Sequence, residues 1–332
     1  MFGKTTKLSR RLVLSMAAAA VSVGMAMPLS SVSAADMEKI HFLIPGGAGG
    51  GWDGTARGTG EALTKSGLLG SASFENMSGG GGGKAIAHLI ETAERQGDTL
   101  MVNSTPIVIR SLTKVFPQSF RDLVPVAGVV GDYAAFVVPA DSKYKSFSEV
   151  VTDFKADPKS VKIAGGSARG SMDHLVAAQA FKAAGGDPKA VKYIPYDAGG
   201  KAMAGLLSGE TALLSTGLSE ALELERSGQV RILAMTGANR IDDAPEIPTL
   251  TEQGIDATFV NWRGFFAAPG TSKEKVAAYN ATLEKMYDTP EWETVRSRNG
   301  WVEVFQPADV FYTFLEEQEG IIGNLMKELG FL

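Results

Sequence analysis

The stretch IHFLIPGGAGGGWDG (residues 40–54) passes from an apolar strand pattern through a glycine-dense loop into a predicted helix. A second stretch, ASFENMSGGGGG (residues 72–83), repeats the arrangement, with Ser78 followed by five glycines. Glycine lacks a Cβ, so its backbone N–H groups can approach a ligand closely. A helix that begins just afterwards adds unpaired N–H groups and the positive end of its dipole. Two such loops in one domain predict an anionic ligand held by the main chain.

The same alternation of strand and helix continues along the chain. A strand at 99–103 leads through Ser104, Thr105 and a proline into a shorter helix. Three successive strand-to-helix loops therefore carry small or polar residues, and in open α/β sheets such loops share the edge where ligands bind. A second set of strands and helices spans residues 161–235 and presents similar loops. The pattern is typical of a parallel α/β architecture.

Two further apolar segments, at 124–139 and 258–266, are predicted to be strands that cross between the two sets. We therefore expect an α/β protein of two hinged lobes joined by two crossover strands, with a ligand cleft between them. Lobe I is predicted to comprise residues 36–132 plus 257–332, and lobe II residues 133–256.

The first 35 residues have the pattern of an export signal. Four basic residues precede an apolar stretch at 12–27, and small residues then allow cleavage before Ala35 or Asp36. The adjacent arginines Arg10 and Arg11 also fit a twin-arginine signal, so both an ordinary Sec route and a twin-arginine route stay open. The expected location is the periplasm.

Composition excludes several classes of function. Removal of the signal takes away four basic and no acidic residues, so the net charge changes from −5 to −9. An acidic body argues against a nucleic-acid partner. The chain of 332 residues has no cysteine, which excludes disulfides, a cysteine nucleophile and a thiolate metal site. Its three histidines lack metal-ligand spacing, and no hydrolase motif is present, so we predict no catalytic residue, metal or cofactor.

The first loop also permits a different function. Gly49-x-Gly51-x-x-Gly54 satisfies the dinucleotide fingerprint, and Glu75 stands at the end of the next strand, where a ribose-binding acid belongs. This loop therefore leaves open an exported NAD(P)-binding oxidoreductase.

The ensemble of motifs resembles one family, the substrate-binding proteins of tripartite tricarboxylate transporters (the TctC or Bug family of periplasmic receptors). The motifs that carry the resemblance are the two glycine loops, Val126-Ala127-Gly128, Tyr193-x-Pro195-Tyr196-x-x-Gly199-Gly200, Gly205-Leu206-Leu207-Ser208-Gly209, Ile247-Pro248-Thr249 and Trp262-Arg263-Gly264-Phe265-Phe266. They run in order from residue 40 towards the C-terminus.

The resemblance implies a periplasmic-binding-protein type II (Venus-flytrap) fold and a monomer that delivers a small di- or tricarboxylate, such as citrate, to membrane permease subunits. It implies that the first two loops hold a carboxylate and that loops of the second lobe close on the rest of the ligand. A sensory receptor would have the same sequence pattern. The predicted ligand-binding residues are Gly50, Gly51, Trp52, Asp53, Ser78, Gly79, Gly80, Gly81, Ser104, Thr105, Ser167, Arg169, Ser171 and Asp197.

Two departures from the family pattern affect these expectations. The first loop carries about three extra residues, so the glycines that face the ligand are not determined. The chain also has Ser215-Thr216-Gly217 where many members have an Asp-Asn pair.

Charged and aromatic residues beside the predicted loops have both structural and functional interpretations. We expect the carboxylate of Asp53 to cap its own turn while its N–H binds ligand. Arg169, with Lys201 and Arg263 near it in the predicted cleft, is the candidate for a second carboxylate. His174 is expected to be structural, and Trp52 either walls the site or packs.

Overall fold

Residues 37–332 are described by a computed structural model, and the predicted signal at 1–35 lies outside the described residues. Three strand–helix units come first: β1 (Met37–Ile44), α1 (Gly51–Lys65), β2 (Leu69–Asn76), α2 (Gly83–Glu91), β3 (Thr99–Ser104) and α3 (Thr105–Thr113). Strand β1 pairs in parallel with both β2 and β3. The loops that follow these three strands therefore emerge at one edge of the sheet.

Strand β4 (Val124–Pro139) is a single strand of 16 residues that belongs to both halves of the sheet. It is followed by α4 (Phe147–Ala156), β5 (Lys162–Gly165), α5 (Met172–Ala183), β6 (Lys192–Pro195), α6 (Gly199–Leu207), β7 (Leu213–Gly217), α7 (Leu218–Arg226) and β8 (Val230–Met235). Strand β5 pairs in parallel with β6 and β7, while β7 and β8 pair antiparallel with the C-terminal part of β4. These strands form the second half of the sheet.

The chain then returns to the first half. The C-terminal elements are β9 (Val260–Ala267), α8 (Lys273–Tyr287), α9 (Pro290–Asn299), β10 (Val302–Pro307) and α10 (Ala308–Leu329). Strand β9 lies between β3 and β4 and is antiparallel to both, and β10 pairs with the N-terminal part of β4. The strand order is β2-β1-β3-β9-β4-β7-β5-β6, with β8 and β10 attached to β4.

Side-chain chemistry at the helix ends explains several of these boundaries. Thr289 Oγ1 accepts the N–H of Trp292 at 3.2 Å, Pro290 opens α9, and Gly300 ends that helix in the left-handed region. Between the elements, large aromatic side chains fill the core. In the second half, Phe147 packs on Phe136 with ring centroids 4.4 Å apart.

The structure confirms both predicted crossing strands as β4 and β9. Helix α1 begins at Gly51, inside the stretch predicted to be a glycine-dense loop. Helix α4 and strand β10 were not predicted. The lobe boundaries stay a prediction. Within residues 37–332, no helix is both long enough and apolar enough to span a membrane.

Candidate functional site

A cavity of about 310 Å³ lies where the strand-to-helix loops of both halves of the sheet meet. The segments that follow β1, β2, β3, β5, β6 and β7, including the first turns of some helices, all contribute to its wall. The predicted site residues that line it are Gly50, Gly51, Trp52, Ser78, Gly81, Ser104, Ser167, Ser171 and Asp197. The arrangement brings together residues more than 100 positions apart in the sequence.

The other predicted residues, Asp53, Gly79, Gly80, Thr105 and Arg169, do not line the cavity. Asp53 supports the first loop from behind, because its carboxylate accepts the N–H of Gly49 at 3.0 Å and pairs with Arg57 at 2.8 Å. The side-chain amide of Asn76 donates to the same carboxylate at 3.0 Å. The Asp53 carboxylate therefore fixes its turn as expected, but not as a helix cap, because Asp53 is the third residue of α1 and Gly50 precedes the helix. Ligand binding by its N–H stays a prediction.

Several helices begin at the cavity without a side-chain cap. The residues that precede α1, α3, α5 and α6 are Gly50, Ser104, Ser171 and Ala198, and none of them caps its helix with a side-chain hydrogen bond. The first N–H groups of a helix have no intrahelical partner, and the helix dipole adds positive potential there. The cavity wall therefore offers backbone donors suited to an anion.

The five-glycine loop wraps the side chain of an arginine that sequence reasoning missed. Four consecutive glycines, residues 79–82, have φ between +56° and +146°, a region that other residues rarely adopt. A Cβ on Gly81 would lie 1.4 Å from Nη2 of Arg110. Arg110 Nη1 donates to the carbonyl of Gly80 at 2.9 Å. The glycines thus make room for a guanidinium.

Arg110 is a buried cation at the cavity wall. Only 6 % of the residue is exposed, and its Nε has no hydrogen-bond partner in the described part of the chain. Among residues 37–332 it forms no ion pair, and burial alone lowers the pKa of the guanidinium. The sequence pattern that could have identified Arg110 is its position directly after the apolar run Pro106-Ile107-Val108-Ile109. A buried cation without a counter-ion favours a bound anion.

A second buried arginine at the cavity already has a counter-ion. Arg263 on β9 is 2 % exposed and pairs with the fully buried Asp132 of β4. Its Nη1 also donates to Oγ1 of Thr55 at 3.2 Å. Asp132 in addition accepts the hydroxyl and N–H of Ser219. The charge of Arg263 is thus balanced inside the protein, unlike that of Arg110.

Two more carboxyl groups face the cavity from the second half of the sheet, the buried Asp173 and the half-buried Glu220. Asp173 accepts the N–H of Ser167 at 2.9 Å, and Glu220 accepts the N–H of Gly217 at 2.9 Å. Burial, together with the nearby Glu220 carboxylate, raises the pKa of Asp173 to about 7. Burial also raises the pKa of Glu220, although Arg263 opposes that shift. Neither acid was among the predicted site residues.

Close contacts join the loops of the two halves. The hydroxyl of Ser78, after β2, donates to the carboxylate of Asp197, after β6. A Cβ on Gly47 would lie 3.0 Å from the carbonyl oxygen of Asp197, and one on Gly50 would lie 3.1 Å from Cβ of Ala198. The missing Cβ atoms therefore allow the two loops to approach each other over the cavity.

The cations that the sequence suggested for a second carboxylate have other partners. Arg169 is exposed, and its Nη2 donates to the carbonyl of Tyr193 at 2.6 Å. Lys201 is exposed and lies 3.4 Å from Asp197. His174 accepts the N–H of Gly170 at 3.1 Å, and burial lowers its pKa to about 4, which fits the expected structural role.

Trp52 lines the cavity and also fixes the loops around it. Its Nε1 donates to Oγ of Ser104 at 2.9 Å, which ties the first loop to the third.

The acid expected to bind a ribose in the dinucleotide alternative is turned away from the cavity. Glu75 does not line the cavity, and its Oε2 lies 3.4 Å from Nε2 of His41. Within residues 37–332, no group of three or more acidic or histidine side chains is placed to hold a metal ion.

Comparisons with known proteins agree with the geometry. The model of the family described as tripartite tricarboxylate transporter family receptor matches residues 58–331. Protein BugT of Bordetella pertussis (strain Tohama I) is 27 % identical over 315 residues, which cover 93 % of this chain and 94 % of BugT.

Solved structures share the fold at lower sequence identity. MatC from Rhodopseudomonas palustris, with bound malate, has a TM-score of 0.76 and 20 % identity, and the match covers 87 % of this chain and 98 % of MatC. The R. palustris protein Rpa4515, with adipate, has a TM-score of 0.79 and 20 % identity, over 89 % of this chain and 97 % of Rpa4515. The predicted two-lobe binding-protein fold is thereby confirmed.

Proposed function

The chain belongs to the tripartite tricarboxylate transporter receptor family, and from that premise we propose that it captures a small organic acid in the periplasm. It delivers the acid to the membrane permease subunits of such a transporter and acts as a monomer without catalysis. Export depends on the segment 1–35, whose removal we expect to leave Ala35 or Asp36 at the N-terminus. N-terminal sequencing of the protein from a periplasmic extract checks this.

One observation carries the proposal, namely the buried guanidinium of Arg110 at the cavity, without an ion pair in the described part of the chain. A carboxylate supplies the missing charge and can accept two parallel N–H bonds from an arginine. The helix N-termini at Gly50 and Ser104 supply further donors in the same half of the sheet. Each hydrogen bond to a charged group contributes about 1.5–3 kcal/mol.

The ligand class that we propose is the di- and tricarboxylates, with citrate as a candidate. Two proteins of the same fold carry malate and adipate, which are dicarboxylates. In this chain, α5 and α6 begin across the cavity from Arg110's half of the sheet, so this end can contact a second polar group of the ligand. One N–H of α5, that of Asp173, is already bonded to Ser167 Oγ at 3.0 Å. Size also fits, since cavities of roughly 300 Å³ hold small ligands.

Ligand contacts from both halves of the sheet would couple binding to closure. A ligand that touches the first-half and second-half loops together completes its contacts only in the closed state, so it shifts the population towards that state. The contact of Ser78 with Asp197 adds a direct bond between the closing loops. A permease could then distinguish loaded from empty receptor by its closure.

A thermal-shift screen over organic acids tests the proposal. A ligand present at a hundred times its dissociation constant adds about 2.7 kcal/mol to the stability of the folded state. In a chain of this size that raises the melting temperature by several degrees. Citrate and the C4 to C6 dicarboxylates form the core of the screen, with sulfate and chloride at matched ionic strength as controls. If no carboxylate raises the melting temperature at millimolar concentration, the proposed function is wrong.

A further inference from the structure

The charged groups of the cavity are distributed unevenly. Arg110 stands on the side of the first half of the sheet with no counter-ion, and Arg263 is neutralised by Asp132. On the side of the second half lie Asp173 and Glu220, which we call the acidic pole. Within residues 37–332, neither of these two carboxyl groups forms an ion pair. The cavity therefore has a cationic end and an anionic end.

Hydrogen bonds from the fold hold each acid of the pole in place, and Asp173 also accepts a backbone hydrogen bond from Gly166. Asp173 Oδ2 accepts from the N–H of Ser167, and Glu220 Oε2 accepts from Thr216 Oγ1 and from the N–H of Gly217. Glu220 Oε1 lies beside Gly199, where a Cβ would come within 2.0 Å of it. Both residues line the cavity, so the pole can accept from a ligand there.

A separate polar group at the same end also lacks a partner. Ser171 lines the cavity and is 3 % exposed, and its hydroxyl makes no hydrogen bond to any residue in 37–332. It stands two residues before Asp173, at the start of α5. A buried hydroxyl is rarely left unpaired in a folded protein. Its position indicates that a ligand atom completes the hydrogen bonding of this end.

We propose that the acidic pole binds an ammonium group of the ligand, so that the receptor selects amino-substituted carboxylates over plain ones. The inference rests on the proposed function, because Arg110 must hold the carboxylate that places the ammonium at the pole. A second carboxylate at the pole would face two acids at close range, which is unfavourable in a buried site. An ammonium donates hydrogen bonds and supplies the missing positive charge, whereas a hydroxyl supplies a donor alone.

Matched compounds that differ in a single group test the inference. At the C4 length they are succinate, malate and aspartate; at C5, glutarate, 2-hydroxyglutarate and glutamate; at C3, propionate, lactate and alanine. Isothermal titration calorimetry at pH 7.5, with both enantiomers where they exist, gives their dissociation constants. At the chain length that binds most tightly, we expect the amino compound to bind at least tenfold more tightly than the plain acid, with the hydroxy acid between them.

A conservative substitution tests whether the acidic pole causes this preference for amino compounds. Glu220→Gln keeps the oxygen that accepts from Gly217 but removes the charge, and we expect it to reduce the amino-to-plain ratio at least fivefold while plain acids bind as tightly or more tightly. Glu223→Gln, on the exposed face of the same helix, is the matched control and should keep the wild-type ratio.

The outcomes separate the two proposals. If plain, hydroxy and amino acids bind equally, or if the ratio survives Glu220→Gln, the acidic pole does not select an ammonium, although the receptor still binds carboxylates. A hydroxy acid that binds as tightly as its amino analogue also overturns the ammonium assignment. If no compound of the three series and no acid of the wider screen binds, the proposed function fails, and the inference falls with it.

Discussion

The glycine loop after β2 and the turn between β7 and α7 both place a buried charge at the cavity, but they treat that charge differently. The glycine loop surrounds Arg110 with backbone and provides a carbonyl acceptor but no carboxylate. Beside the β7–α7 turn, Arg263 of β9 is already balanced by its ion pair with Asp132 of β4, and its charge also opposes the rise in the pKa of Glu220. The difference shows that Arg110 is free to receive an anionic ligand, whereas Arg263 already has its carboxylate partner within the protein.

Among the glycine substitutions, adding a methyl group at Gly81 should have the largest effect on ligand binding. In Gly81→Ala, the new Cβ overlaps Nη2 of Arg110, so the guanidinium must move, and the backbone must keep a φ of +61°. We expect carboxylate binding to weaken at least tenfold, measured by calorimetry. Gly80→Ala is the matched control, because its φ is +56° and its Cβ would meet nothing within 4 Å. Equal losses in the two variants would mean that backbone strain, and not Arg110, explains the effect.

Adding a methyl group beside Arg263 should mainly lower the stability of the fold. In Gly51→Ala, the Cβ would lie 2.0 Å from Nη1 of Arg263, which would displace a buried ion pair. Disturbing such a pair costs up to about 3–5 kcal/mol, so urea unfolding should show a loss of roughly 2 kcal/mol or more. Gly54→Ala, in the same helix with open space around its Cβ, should be neutral or stabilising. If Gly51→Ala is as stable as wild type, the ion pair of Arg263 with Asp132 can shift to admit the methyl group at no cost.

A smaller effect concerns the pH dependence of stability. The pKa of Asp173 is raised to about 7 in the folded protein, against about 4 in an unfolded chain. The unfolded state loses this proton first, so the free energy of unfolding falls as pH rises from about 4 to about 7, by at most about 1.4 kcal/mol per pH unit.

Asp173→Asn, which keeps an oxygen for the N–H of Ser167, should remove that decline. Urea unfolding of wild type and variant at intervals between pH 4.5 and 8 measures it, with Glu223→Gln as the control expected to follow wild type. Parallel stability curves for Asp173→Asn and wild type would show that Asp173 is ionised at little cost and would weaken the account of the acidic pole.

The sequence allowed prediction of the loops better than of the charges they carry. Glycine density and the alternation of strand and helix are local signals, and they correctly placed Gly50, Gly51, Ser78 and Gly81 at one cavity. The same signals underlie the confirmed fold, since crossing strands and helix starts follow from apolar runs and small residues.

Charged side chains inside helices gave no comparable signal. Arg110 lies in the second turn of α3, and Asp173 and Glu220 lie in the first turns of α5 and α7, where acids are common as helix-dipole partners. Arg169 was favoured because it stands in a predicted cleft loop with Lys201 and Arg263 near it, yet its side chain donates to the carbonyl of Tyr193. Which way a side chain points depends on the packing of distant elements, which no local pattern contains.

The central claim is that Arg110 receives the ligand's carboxylate, and calorimetry on one pair of variants tests it most directly. Arg110→Met should weaken binding of the best organic acid about a hundredfold, because two charge-assisted hydrogen bonds are lost. Its melting temperature without ligand should not fall, since the arginine is buried without a counter-ion. Arg121→Met, which removes an exposed arginine paired with Glu319, should bind within twofold of wild type. If folded Arg110→Met binds the acid within threefold of wild type, the claim is contradicted.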